Sequence, residues 1–78
     1  MKKTWLDAMR GAIARYTVRH GTREFDRQGL ITEELNQIIE ETGSRGKTPD
    51  QTLSRVLQDL RDSGEITFLD DEGNYRLN

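Results

Sequence analysis

Apolar residues recur near the start of the chain at the three- and four-residue steps of a helix: Trp5, Met9, Ala12, Ile13 and Tyr16. Thr4 is placed to cap that helix and Asp7 falls in its first turn, so the spacing predicts a helix from residue 5 to about 19, stopped before Gly21. Arg10, Arg15 and Arg19 fall off its apolar face. Thr22 to Phe25 has room for a short strand. Asp26 can then cap a second helix carrying Leu30, Ile31, Leu35, Ile38 and Ile39 and closing at Gly43. Gly29 and Thr32 weaken its first turns, and a break or bend is expected between residues 29 and 32.

Beyond Gly43-Ser44-Arg45-Gly46-Lys47, expected to be a flexible basic connection, three helix-start signals coincide: Thr48 as cap, Pro49 at the first helical position and Gln51 three residues after the cap. Leu53, Val56, Leu57 and Leu60 form the apolar stripe of this third helix, which Ser63-Gly64 ends. Two short runs, Ile66 to Leu69 and Tyr75 to Leu77, flank a turn-forming segment from Asp70 to Asn74, the pattern of a β-hairpin. An isolated hairpin is unstable and must pack on the helices. Helix, short strand, helix, loop, helix, hairpin is the order of an α+β winged helix-turn-helix, with three helices and a C-terminal hairpin as the wing.

Composition narrows the function. At 78 residues the chain is expected to form a single domain over residues 1–78. With 32% apolar and 33% charged residues its core is thin, and an elaborate buried active site is not expected. Cysteine is absent, which excludes disulfides, a thiol nucleophile and Cys-based zinc sites, and makes a cytoplasmic setting the default. No apolar run reaches the roughly 18 residues of a membrane span, and the N-terminus has no signal-peptide core, so the chain is expected to be soluble, uncleaved and without membrane association. His20 is the lone histidine, and the paired acids Glu33-Glu34 and Glu40-Glu41 read as solvated surface. No catalytic residue, metal or cofactor is therefore expected.

The net charge of −2 argues on its face against nucleic acid, but its distribution is uneven. Residues 1 to 27 hold seven Lys or Arg against three acids, and residues 28 to 78 five against eleven. Such polarity can offer one basic face to a phosphate backbone. On the third helix, Gln51, Arg55, Gln58 and Asp62 fall opposite the apolar stripe, flanked by Thr52 and Ser54. This set of side chains matches base edges: Arg pairs with guanine, Gln with adenine, and Thr can touch a thymine methyl. Ser44, Arg45, Lys47 and Thr48 precede the helix N-terminus, where free N–H groups favour a phosphate. Arg76 on the hairpin can reach a further phosphate, whereas Asp70, Asp71 and Glu72 should keep the wing tip off DNA.

Several stretches together carry a family likeness: Arg27-Gln28-Gly29-Leu30, Glu41-Thr42-Gly43-Ser44, Lys47-Thr48-Pro49-Asp50-Gln51-Thr52-Leu53, Leu57-Gln58-Asp59-Leu60-Arg61-Asp62-Ser63-Gly64, Ile66-Thr67-Phe68-Leu69 and Tyr75-Arg76-Leu77. Over roughly residues 22 to 77 the chain resembles the C-terminal winged-helix domain of DpnI-type, methyl-directed restriction endonucleases, and related domains that accompany HNH-type nucleases. The first helix lies outside the likeness. The resemblance implies recognition of double-stranded DNA bearing N6-methyladenine, in a restriction-modification setting. It also implies a nuclease domain or partner that does the cutting, and a reader that is itself a monomer and not an enzyme. An N6-methyl group in the major groove needs an apolar patch beside hydrogen-bonding groups, for which Pro49 and the Thr52 methyl are the candidates. Two other functions fit the same fold: a transcriptional regulator, which would be a dimer on a palindromic site, and a winged helix that binds protein alone.

Overall fold

The computed structural model describes residues 2–44 and 46–78. Three helices and three strands follow one another as α1 (Trp5–His20), β1 (Glu24–Asp26), α2 (Arg27–Thr42), α3 (Pro49–Asp62), β2 (Ile66–Phe68) and β3 (Asn74–Leu77). The architecture is α+β with the layout of a winged helix: three helices share one core, and a small antiparallel sheet ordered β1-β3-β2 closes it.

Each helix starts and stops for a local reason. The Thr4 hydroxyl accepts the Asp7 N–H at 3.1 Å and caps α1. Gly21 ends that helix at φ 65°, a left-handed geometry that costs glycine nothing. The Asp26 carboxylate accepts the Gly29 N–H at 2.9 Å and caps α2, which Gly43 closes, also at φ 65°.

Two expectations are corrected. Helix α2 runs unbroken through residues 29 to 32. Gly29 marks a close approach there: a Cβ at that position would lie 2.5 Å from the Tyr16 hydroxyl and 2.7 Å from Asp26 Oδ1. Helix α3 does start at Pro49, but the Thr48 side chain makes no capping hydrogen bond. The φ of −131° and ψ of 64° at Thr48 differ from the extended backbone of the two caps that do bond.

The core is built from all layers. Met9 and Ile13 of α1, Leu30 and Ile38 of α2, and Leu53, Leu57 and Leu60 of α3 are nearly or wholly inaccessible, each such side chain contributing about 1.5–3 kcal/mol on burial. Trp5 packs against this cluster from its margin. The sheet adds an aromatic row. Phe25, Tyr75 and Phe68 lie side by side in register across β1, β3 and β2, with ring centroids 5.4 and 4.7 Å apart and about 0.5–1.5 kcal/mol per pair beyond their burial. That row makes Glu24–Asp26 a strand of the same sheet as the hairpin. At the wing tip the Asp70 carboxylate accepts the N–H groups of Glu72 and Asn74 and the Asn74 side-chain amide, at 2.8, 3.2 and 2.8 Å. Those bonds, the Asn74 amide first, hold its carboxyl below the usual carboxylate range.

Candidate functional site

Five of the seven cations in the basic first third, Lys3, Arg10, Arg15, Arg19 and Arg27, pair with carboxylates of the same chain. Arg15 and Arg19 converge from α1 on Glu34, with Arg15 Nη2 2.7 Å from Oε1 and Arg19 Nη2 2.8 Å from Oε2. Glu34 is 2% exposed, so it is a buried anchor between α1 and α2 and not the solvated acid expected from the sequence. Arg19 also donates to Glu33 at 2.7 Å. His20 Nε2 lies 3.0 Å from the Glu33 carboxylate, and its ring is 4.2 Å from that of Tyr16. Hydrogen bonds from Arg19 first, then from His20, hold the Glu33 carboxyl below its ordinary value. Arg10 grips Glu65 through two parallel bonds of 2.7 and 3.0 Å, and Lys3 reaches Glu41 at 3.4 Å. The Arg10 and Ser63 contacts hold the Glu65 carboxyl down at about 2.

Around α3 the situation is different. Gln51, Arg55 and Gln58 are exposed on the side away from Leu53, Val56, Leu57 and Leu60, as the helical spacing predicted. Thr48, Gln51, Thr52 and Arg55 together line a shallow depression of about 290 Å³. Among the described residues Lys47 and Arg55 have neither an ion-pair partner nor a side-chain hydrogen bond, in contrast to Arg10, Arg15 and Arg19. Lys47 and Thr48 are exposed just ahead of the helix, and Pro49 is half-buried there. Chemically, this side of α3 and the residues before it offer one unpaired guanidinium, one ammonium, the amides of Gln51 and Gln58 and the hydroxyls of Thr48 and Thr52, with Lys47, Thr48 and Gln51 nearest the positive end of the helix dipole. Asp50 and Asp59 are exposed on the same helix and offset part of that charge.

Other expected residues are placed less favourably. Ser54 is not an outward-facing group: its Oγ accepts from Arg27 Nε at 2.7 Å and donates to the Asp50 carbonyl at 3.2 Å. Ser44 is half-buried after the α2 cap, its N–H donating to the Thr42 hydroxyl at 3.3 Å. Arg45 lies outside the described residues. Arg76 is exposed and stands in register between Glu24 and Thr67, and among the described residues it makes no ion pair with Glu24.

The sequence reading missed Arg27, which joins α2 to α3. It also missed Arg23, exposed ahead of β1 with no ion-pair partner among the described residues. Arg27 had a signal in its position beside the Asp26 cap, but its contact with Ser54 spans 27 residues of sequence and leaves no periodic trace.

A second concavity, about 400 Å³, lies where the end of α1 meets β1 and the wing. Several of its polar groups already have partners: within the lining the Tyr16 hydroxyl donates to Asp26 at 3.0 Å, and from outside it Glu33 meets His20 and Asp70 meets Asn74. Burial, foremost, pushes the Tyr16 phenol above its ordinary value. Among the described residues no three His, Asp or Glu side chains come together as a metal-ligand group, and no described helix is long and apolar enough to cross a membrane. No family model, curated protein or solved structure was found to match the chain.

Proposed function

We propose that this chain binds double-stranded DNA by laying the exposed side of α3 into the major groove. The observation that carries the reading is where the free cations stand: the α1 arginines are neutralised by carboxylates of the same chain, whereas Lys47 and Arg55, like Arg23 and Arg76 elsewhere, stay exposed and unpaired among the described residues, and these two lie beside the exposed amides and hydroxyls of α3. In this reading Gln51, Thr52, Arg55 and Gln58 meet base edges. Lys47, Thr48 and the first-turn N–H groups of α3 meet phosphates, and Arg76 on β3 gives a flanking phosphate contact.

The resemblance to methyl-directed restriction endonucleases extends the proposal to N6-methyladenine, with Pro49 and the Thr52 methyl forming the apolar patch. It also extends the proposal to a monomeric, non-catalytic reader whose nuclease resides in another domain or partner, in the cytoplasmic setting proposed from the cysteine-free sequence.

The test is fluorescence anisotropy on GATC-containing duplexes, unmethylated, hemimethylated and fully N6-methylated, at two salt concentrations. Tighter binding of methylated DNA supports the restriction-linked reader. Equal, salt-sensitive binding leaves DNA binding standing and removes the methyl preference. Absence of binding at low salt removes the DNA reading in favour of a protein-binding winged helix, which the 82% exposure of Val18 on α1 favours. Within the methyl reading, Thr52→Asp and Pro49→Gly should lower the ratio of methylated to unmethylated affinity, and an unchanged ratio takes both residues out of it.

A further inference from the structure

We propose that Arg27 is a positioning residue that sets the tilt and roll of α3 against the wing, and that base discrimination depends on it although it meets no base. The inference rests on the DNA-binding reading for its functional half and on geometry for its structural half.

Arg27 opens α2 at the point where α2, α3 and the wing meet. Its backbone N–H donates to the Gly73 carbonyl in the wing turn at 2.9 Å. Its Nε donates to Ser54 Oγ at 2.7 Å, and its Nη2 lies 3.3 Å from the Asp50 carbonyl oxygen and 3.7 Å from the Asp50 carboxylate. One residue therefore touches the wing and the first two turns of α3. The wing turn also comes close: Gly73 has a φ of 91°, and a Cβ there would lie 3.4 Å from Arg27 Cβ.

These links add direction to the forces on α3, beside the Arg61 guanidinium that lies 4.7 Å from the Phe68 ring centroid at its far end. Leu53, Val56, Leu57 and Leu60 hold it by burial, which is strong but non-directional. Thr48 supplies no side-chain cap to fix its start. A planar guanidinium with its donors in a rigid fork is the side chain suited to fixing an angle, and a lysine ammonium cannot reproduce that geometry. Gln51 and Arg55 directly flank the Asp50 and Ser54 positions that Arg27 holds. Base contacts require placement to roughly 0.5 Å, whereas a phosphate contact from Lys47 tolerates more.

The test compares Arg27→Gln, Arg27→Lys, Ser54→Ala and the Arg27→Gln/Ser54→Ala double variant with the wild type, by anisotropy on the GATC duplex and a scrambled duplex over a salt series and by residual dipolar couplings that orient α3 against β3 in the free protein. Each variant should bind roughly tenfold more weakly, in line with losing charge-assisted hydrogen bonds, with an unchanged salt slope. Arg27→Lys should not rescue. The Arg27→Gln and Ser54→Ala losses should be strongly non-additive, since the two residues form one contact. A slope reduced by about 0.9 in Arg27→Gln, together with wild-type behaviour of Arg27→Lys, would mean a plain phosphate contact and overturn the proposal. Lowered melting temperature with unchanged affinity of the folded fraction would overturn it too. Should the wild type bind no duplex, the DNA reading fails, and the couplings still decide the structural half: a reoriented α3 in Arg27→Lys and Ser54→Ala upholds it, and an unchanged one ends it. Ser54→Ala keeps the test open if the Arg27 variants do not fold.

Discussion

Glu34 concentrates the physics of this small protein in one side chain. A carboxylate that is 2% exposed is expensive to desolvate, and here two guanidinium groups compensate it, one for each oxygen. Removing the charge should be costly, but the cost is limited because Arg15 and Arg19 keep 36% and 48% of their side-chain surface in contact with solvent and can turn outward. Glu34→Gln should therefore destabilise the fold by about 1–3 kcal/mol, below the range for a fully buried pair. Chemical denaturation measures this, and a loss under about 0.5 kcal/mol, typical of plain surface substitutions, would show that the bridge is idle. Gly29 is the second decisive residue. Gly29→Ala would ordinarily help a helix, but the new methyl would collide with the Tyr16 hydroxyl and the Asp26 cap. A loss of about 1–3 kcal/mol is expected from overpacking, and a gain in stability would contradict the tight approach of α1 to α2.

At the scale of elements, caps separate what sequence motifs promise from what backbone geometry delivers. Thr4 bonds the Asp7 N–H, whereas Thr48, in the stronger sequence motif, bonds nothing with its side chain as a cap. Thr4→Ala should cost about 1 kcal/mol and Thr48→Ala close to nothing in stability; equal losses would show that both hydroxyls cap in solution. For α3 itself, Arg55→Ala should weaken DNA binding by about 1–3 kcal/mol and relax base preference, while Lys47→Ala should weaken all sequences alike and flatten the salt slope. Indistinguishable behaviour of the two variants in the titration would remove that division of labour.

The elements were legible because their signals are local. The stripe from Leu53 to Leu60, the Asp26 cap and the turn at Asp70 to Asn74 can each be read within a few residues. The break expected at Gly29 failed because glycine there answers to Tyr16 on another helix. Much of the candidate site was legible as a face, since Gln51, Arg55 and Gln58 follow from helical spacing. Ser54 and the α1 arginines were misplaced because their partners, Arg27, Glu34 and Glu65, are brought to them only by tertiary packing.

For the molecule as a whole, ion pairs knit the basic N-terminal third to the acidic remainder. Glu33, Glu41 and Glu65 are all held below their ordinary carboxyl values, by hydrogen bonds chiefly from Arg19, Gln37 and Arg10 respectively. A carboxyl whose folded pKa is depressed binds its proton more readily when unfolded, so its stabilisation is present above the unfolded value and lost as the pH falls through the folded one. Stability should thus decline on acidification from about pH 5 toward about 2, where Arg10 and Ser63 hold the Glu65 carboxyl in the fold. Glu65→Gln should make that decline shallower. Thermal melts across this range check it, and a Glu65→Gln profile parallel to that of the wild type would dissociate the Arg10–Glu65 pair from acid stability.

The central claim, that α3 is the surface that meets DNA, is tested most directly by backbone amide NMR during titration with the fully N6-methylated GATC duplex. The account predicts shift changes concentrated on Lys47 to Gln58, strongest at Gln51, Thr52 and Arg55, with α1 little affected. Changes centred on Ala14 and Val18 with α3 silent, or no changes at low salt, would contradict it.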